Sequence, residues 1–313
     1  MTNTKLYLLI LFVVCLFSAC KDEKCKDVNN NITDIKEETI KVTKYDINPE
    51  WGIEEVVGIN GDQLVCQSNN ADKFYYVLST KDFTLQESFG VKGNAANEWI
   101  MPHLLLTGEK GKCYVIDNGT RKIHTLVNYK ITTQNDSPVN GLINGEKMYK
   151  HLLCYEDMSP NEIILRTIDI NTGAKIDSLV FADPAKQGMS YKEDFAYCIK
   201  DGKLVLGQIH KNNIKILDIS DDGKLKPRCN IQGSTEDKAV YYTGVAIGKG
   251  TIYMLSQRHR KEGYSSIEEY DFDGKAVRNI KLDFKASKIM FDENNNMLIL
   301  SGSKDGALRT IKL

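Results

Sequence analysis

The chain has 313 residues, 42% hydrophobic and 27% charged, with 41 Lys and Arg against 42 Asp and Glu for a formal net charge of −1. These are ordinary globular values, and the charge balance leaves no basic footprint, so nucleic acid is not an expected partner. The length admits two ordinary domains or one large all-β body.

At the N-terminus, Lys5 supplies a positive start and Leu6 to Leu16 is almost wholly apolar. Phe17-Ser18-Ala19-Cys20 then brings small residues up to a cysteine. That pattern reads as a secretory signal, and the run is too short for a spanning helix, which needs about 20 apolar residues. Cys15 is preceded by bulky Val14, which is wrong for cleavage. The Ser-Ala-Cys ending resembles the lipobox of bacterial lipoproteins, with Phe17 where that family prefers Leu. The resemblance implies that residues 1–19 are removed and that Cys20 becomes an acylated N-terminus anchored in a membrane; plain secretion is the alternative. Lys21-Asp22-Glu23 resembles the acidic signal that sends some Gram-negative lipoproteins to the cell surface. The expected address is therefore the cell envelope, lipid-anchored at the outer membrane and surface-exposed. Residues 20–37 are polar and cannot bury a core, so a flexible tether is expected there.

Of the remaining cysteines, Cys25, Cys66, Cys113, Cys154, Cys198 and Cys229, none forms a C-x-x-C pair. Zinc-ribbon and thioredoxin readings lose their support. Several lie in apolar strand contexts, where a thiol behaves as a small buried hydrophobe.

The body repeats. A Gly or Asn turn leading into an apolar strand recurs at Gly61, Gly111, Gly202, Gly250 and Asn295, with Gly145-Glu-Lys-Met-Tyr as a sixth copy. The mean step is about 47 residues, within the range of propeller blades. Downstream, Asp169-Ile-Asn-Thr-Gly173, Asp218-Ile-Ser-Asp-Asp-Gly223 and Asp271-Phe-Asp-Gly274 carry hairpin-turn chemistry: Asp tolerates left-handed angles and Gly adopts them at no steric cost. With an apolar run in front, each unit has four strands. Six units fit, at 52–92, 100–135, 145–185, 195–233, 240–284 and 286–313; seven would leave too little chain. The last has only three strands. Glu38–Tyr45 alternates well and lacks a partner, so it is expected to pair with Ala307–Leu313 and remove the exposed edge. The expected fold is all-β: a six-bladed β-propeller of four-stranded antiparallel blades, closed by an N-terminal strand, in one domain over residues 38–313.

Phe89-Gly90…Gly93-Asn94…Glu98-Trp99…Pro102, followed by Tyr114-Val-Ile-Asp117-Asn-Gly119 and Lys122-Ile123, resembles an NHL repeat. It is also similar to the TolB-like six-bladed propellers found among surface lipoproteins. Ala95-Ala96-Asn97 stands where those families usually carry Gly-Pro before the acidic residue. The resemblance implies the six-bladed fold and no single activity, since relatives include binders, scaffolds and a metal-dependent lyase.

No catalytic constellation stands out. His103, His124, His151, His210 and His259 show no metal-ligand spacing, so neither a metal nor another cofactor is expected. Asp117, Asp169, Asp218 and Asp271 read as turn residues accepting backbone N–H bonds rather than as calcium ligands. Glu54-Glu55 and Glu268-Glu269 are neighbours that a strand points to opposite faces. No Gly-x-Ser-x-Gly is present. Two stretches are candidates for binding a protein, peptide or glycan. One is the basic excursion with Arg258, His259, Arg260 and Tyr264. The other is the long loop Ala182–Glu193 with Tyr191, since long loops on a rigid scaffold carry binding. Trp51 and Trp99 are expected to pack blades or anchor loops. The expected role is a non-catalytic binding propeller. The alternatives are a lyase or hydrolase with acids and histidines meeting at the axis, and a scaffold subunit of an envelope transport assembly.

Overall fold

In a computed structural model, residues 25–69, 72–95, 97–139, 144–158, 163–181, 194–236, 238–302 and 305–313 are described. The repeated strands build six antiparallel sheets of four strands, here called blades 1 to 6. In blades 1 to 5 the four strands follow one another from the inside out. They begin with Ile53–Asn60, Pro102–Leu106, Asn144–Tyr149, Phe195–Lys200 and Tyr242–Ile247. Blade 6 begins with Lys288–Asp292 and supplies three strands of its own. Each innermost strand touches the innermost strands of its two neighbours, and blade 6 touches blade 1, so the ring is closed. The six units read from the sequence coincide with these sheets to within a few residues.

Burial explains the composition of each position. Second strands are packed on both faces by neighbouring blades, so they read as continuous apolar runs; Ile252–Ser256 is buried throughout. Outer strands face solvent, and Lys130–Asp136 is exposed along nearly its whole length. Six apolar cores fill the six gaps between blades. The one that closes the ring packs Val56, Leu64, Cys66 and Leu78 of blade 1 on Met297, Ile299 and Leu308 of blade 6. No blade can cover its own faces, which is why the repeat must close.

Tight turns join the first and second strands. Gly61, Gly111, Gly202 and Gly250 sit there with φ between 69° and 75°, where a side chain would be strained. Gly145 departs from the expectation. It lies inside the innermost strand of blade 3, and the turn is made at Lys150, with φ of 54°. The outer turns follow the expected chemistry at Asp169, whose Oδ1 accepts the N–H groups of Asn171 and Thr172 at 2.8 and 2.9 Å, and at Asp271. In blade 4 Ser220 takes that role, accepting from the Lys224 N–H at 3.0 Å, while Asp218 pairs with Lys203. The thiols of Cys66, Cys113 and Cys154 are buried, which pushes each up to about 12.

The N-terminal segment closes the ring and does more than expected. Thr43–Tyr45 pairs antiparallel with Leu308–Lys312 as the fourth strand of blade 6. Glu38 and Thr39 belong to a separate strand, Glu37–Thr39, added parallel to Ala276–Lys281 at the outside of blade 5. The break follows from packing: between the two strands Ile40 and Val42 turn into the core between blades 5 and 6. Part of the expected tether is also structured. Lys26–Asn29 pairs parallel with Leu225–Gln232 outside blade 4, and Ile32, 1% exposed, enters the core between blades 4 and 5. Ile32, the partly buried Val28 and Ile35, and a run of backbone hydrogen bonds hold a segment whose composition is that of a linker. This strap covers the edges of three successive blades.

Candidate ligand-binding site at the propeller axis

The residues singled out by sequence fall into three groups. Cys20, Tyr191 and the loop Ala182–Glu193 lie outside the described residues. Arg260 is exposed on a short turn, Arg260–Glu262, that ends at Gly263 with φ of 99°. Arg258, His259 and Tyr264 turn back onto the protein.

Arg258 is the centre of a buried network. Its Nε donates to Glu268 Oε1 at 2.7 Å, and its Nη2 reaches Asn212 Oδ1 at 2.6 Å and Tyr242 OH at 2.8 Å. The guanidinium lies over the Tyr241 ring, 4.7 Å from its centroid. Glu268 is 1% exposed, and the hydroxyls of Tyr270 and Tyr242 approach its other oxygen at 2.7 and 3.1 Å. Asn30 of the strap completes the set, donating to Asn212 Oδ1 at 2.9 Å and accepting from Tyr270 OH at 3.0 Å. Burial opposes the charge on Arg258, but the Glu268 carboxylate outweighs it and holds the guanidinium above its usual value. The rigid fork of an arginine suits this many directed bonds. The network joins blade 4, blade 5 and the strap, so Arg258 is committed to structure. His259 does related work: Nε2 stands 3.3 Å from Glu37 of the strap, and its ring stacks on Tyr264 at 4.7 Å. The Lys281 ammonium covers Tyr264, 4.1 Å from the ring centroid. Trp99 is 2% exposed in the core between blades 1 and 2, and Trp51 stacks on Tyr76, as blade packing requires.

The geometry of a site appears elsewhere, at the axis. All six innermost strands wall a cavity of about 410 Å³. Leu104, Leu106, Met148, Val245, Ile289 and Met290 give it an apolar lining. Charged groups gather near the starts of the same strands, hence at one mouth. His103 Nδ1 and Glu146 Oε1 are 2.7 Å apart, across blades 2 and 3. Lys288 Nζ and Glu55 Oε1 are 2.5 Å apart, across blades 6 and 1. Lys147 follows Glu146 in blade 3, and its ammonium has no hydrogen bond or ion pair with any described residue. The bond to Glu146 raises the His103 pKa. Burial lowers that of Lys147, and the like charge of Lys288 adds to the effect. Cys198, beside Lys147, is pushed up by its own burial. Among the described residues no group of three or more His, Cys, Asp or Glu is placed to hold a metal ion.

Sequence reasoning passes over these residues because Gly145-Glu-Lys-Met-Tyr reads as a turn and second strand. Placed correctly, Glu146 and Lys147 are charges in an innermost strand, where a neighbouring blade and the channel are the only surroundings. Charge in the first strand of a unit is the signal that finds them.

The fold and the axial mouth define the class: a six-bladed β-propeller with a walled central cavity. No protein-family model and no curated protein matches the sequence. Solved structures do. A member of the DUF4221 family from Bacteroides vulgatus is similar with TM-score 0.60 and 9% identity, over 89% of this chain and 97% of that one. A putative exported protein from Bacteroides fragilis is similar with TM-score 0.58 and 9% identity, over 92% and 99%. The Cps50 (Swd1) β-propeller domain of Myceliophteria thermophila is similar with TM-score 0.55 and 11% identity, over 87% and 100%. At these identities the likeness is one of fold, and the NHL and TolB likeness stays a resemblance carried by residues 89–123.

Proposed function

We propose that the protein is a lipid-anchored propeller of the cell envelope, held at the outer membrane and exposed at the cell surface, that binds a ligand in its axial cavity without turning it over. The observation that carries the binding role is the 410 Å³ cavity that all six blades wall and that charged groups rim at one mouth. Pockets of this size and mixed lining are where small ligands bind. The address rests on the Lys5–Cys20 pattern, with support from the likeness to an exported protein. Radiolabelled palmitate should enter the wild-type chain and not Cys20→Ala, and protease added to intact cells should degrade the wild-type chain. Label retained in Cys20→Ala would remove the anchor, and resistance to protease would remove surface exposure.

One observation favours a second reading, a lyase or hydrolase. His103 and Glu146 form an acid–histidine pair beside a lysine at the axial mouth, and a histidine so poised can move a proton. Turnover lost in His103→Gln, with ligand binding kept, would establish that reading in place of the first.

A further inference from the structure

We infer that the axial cavity receives a small amphiphilic oxyanion, a carboxylate or phosphate ester with an apolar body, whose charged head meets Lys147. The inference deepens the binding role proposed above and rests on it.

The argument starts from charge at the mouth. Glu146 is taken by His103 and Glu55 by Lys288, while Lys200, at the other end of the innermost strands, is taken by Glu293 at 3.0 Å. Glu156, the remaining acid of the lining, also has a partner. Lys147 is the charge left over, and its ammonium opens only on the cavity. A half-buried cation whose only contact is the solvent of a narrow cavity is poorly compensated, and an incoming oxyanion would supply both the counter-charge and the hydrogen-bond acceptors. The charges of Lys288, Glu146 and Glu55 are all felt at Lys147, but each of these three is engaged in a pair of its own, so Lys147 is the cation that an anion can claim. Burial lowers the Lys147 pKa, and an anion bound beside it would raise it. Beyond the polar mouth the walls are aliphatic, chiefly Leu104, Leu106, Val245 and Ile289. A charged head at Lys147 therefore places an apolar body against these walls, where it sheds water.

The test uses the full chain in detergent and four purified forms: wild type, Lys147→Met, Lys147→Arg and Ala196→Phe. Ala196 lines the cavity, so Phe there blocks it. The probes are octanoate, octyl phosphate and the neutral octanamide, measured by calorimetry. Wild type should bind at least one anion about tenfold or more tighter than octanamide. Lys147→Met should lose about that factor for the anion and leave octanamide within about twofold, and Lys147→Arg should retain the anion. Preference for octanoate assigns a carboxylate, and preference for octyl phosphate a phosphate ester. If octanamide matches both anions, or Lys147→Met binds the anion as wild type does, the inference is overturned. Should Ala196→Phe still abolish octanamide in that case, the cavity remains the binding site and only its charge preference is lost. If no probe binds, or Ala196→Phe changes nothing, the axial binding role falls with the inference.

Discussion

Arg258 and Lys147 are both half-buried cations, and their surroundings differ in kind. Arg258 has a carboxylate, an amide oxygen and a hydroxyl within 2.8 Å, with an aromatic ring beneath it. Lys147 has a cavity. The first arrangement satisfies every group it buries, and its partners come from two blades and the strap. The second leaves a charge that the fold itself does not use. A satisfied buried cation is part of how the ring is fastened, whereas an unsatisfied one facing a cavity is a request for a ligand. The basic stretch around Arg258 is the conspicuous one in the sequence, but the structure gives the binding geometry to the inconspicuous lysine.

The largest effect should come from breaking the satisfied site. Glu268→Gln leaves the Arg258 charge buried beside a neutral amide and should cost about 3–5 kcal/mol of stability, read from the denaturant midpoint. The double change Arg258→Met with Glu268→Leu removes both charges and should recover part of that loss, with the Tyr242 and Tyr270 hydroxyls keeping it from recovering all. A double variant less stable than Glu268→Gln would mean that the charges themselves hold the two blades together. Next comes Asn30→Ala, which removes the strap's hold on the network at a cost of about 1–3 kcal/mol. Hydrogen exchange should speed up at Lys26–Asn29, while Thr43–Tyr45 stays protected because its ladder is independent. Equal exchange in both strands would show that the strap lifts as one piece.

How much of this is legible in sequence depends on whether the cause is local. Four of the tight turns are, because φ near 70° selects glycine at Gly61, Gly111, Gly202 and Gly250. The turn at Lys150 is not, since nothing about lysine announces a left-handed angle, and the third blade is misread for that reason. Closure of the ring is legible from the unpaired alternation of Glu38–Tyr45. The strap before it is not, because Asn30 and Ile32 act through partners about 180 to 240 positions away. The axial mouth has the same character: His103 meets Glu146 only when blades 2 and 3 pack, and Lys288 meets Glu55 only when the ring closes. Arg258 shows the converse failure. Arg260 and Lys261, close by in sequence, are exposed and basic, and the burial of the Arg258 side chain is set by Glu268 and Asn212.

Lys147→Met sharpens the comparison by reversing its sign. Replacing an unpartnered ammonium with an apolar chain of similar length should stabilise the ligand-free protein by about 1–3 kcal/mol at neutral pH. The pH dependence follows from the lowered pKa. In the window between the folded value and the ordinary 10.5, the unfolded chain binds the extra proton. Wild-type stability attributable to Lys147 therefore rises as pH climbs through that window, and the penalty is full below it. The Met variant should lack that rise. If Lys147→Met melts below wild type across the whole range, the lysine has structural work that the cavity does not reveal.

The smallest effect is at the histidine that shares the mouth. The bond to Glu146 raises the His103 pKa above 6.5, so the pair contributes stability that is complete below pH 6.5 and is lost as pH rises through the raised value. Partial exposure limits the contribution to about 0.5–1 kcal/mol. Glu146→Gln should lower the His103 titration midpoint seen by NMR and flatten this part of the stability profile. The same variant also removes a negative charge next to Lys147, so the affinity for octanoate should rise in Glu146→Gln. A fall instead would place Glu146 among the groups that hold the ligand, and would move the mouth closer in kind to the saturated network around Arg258.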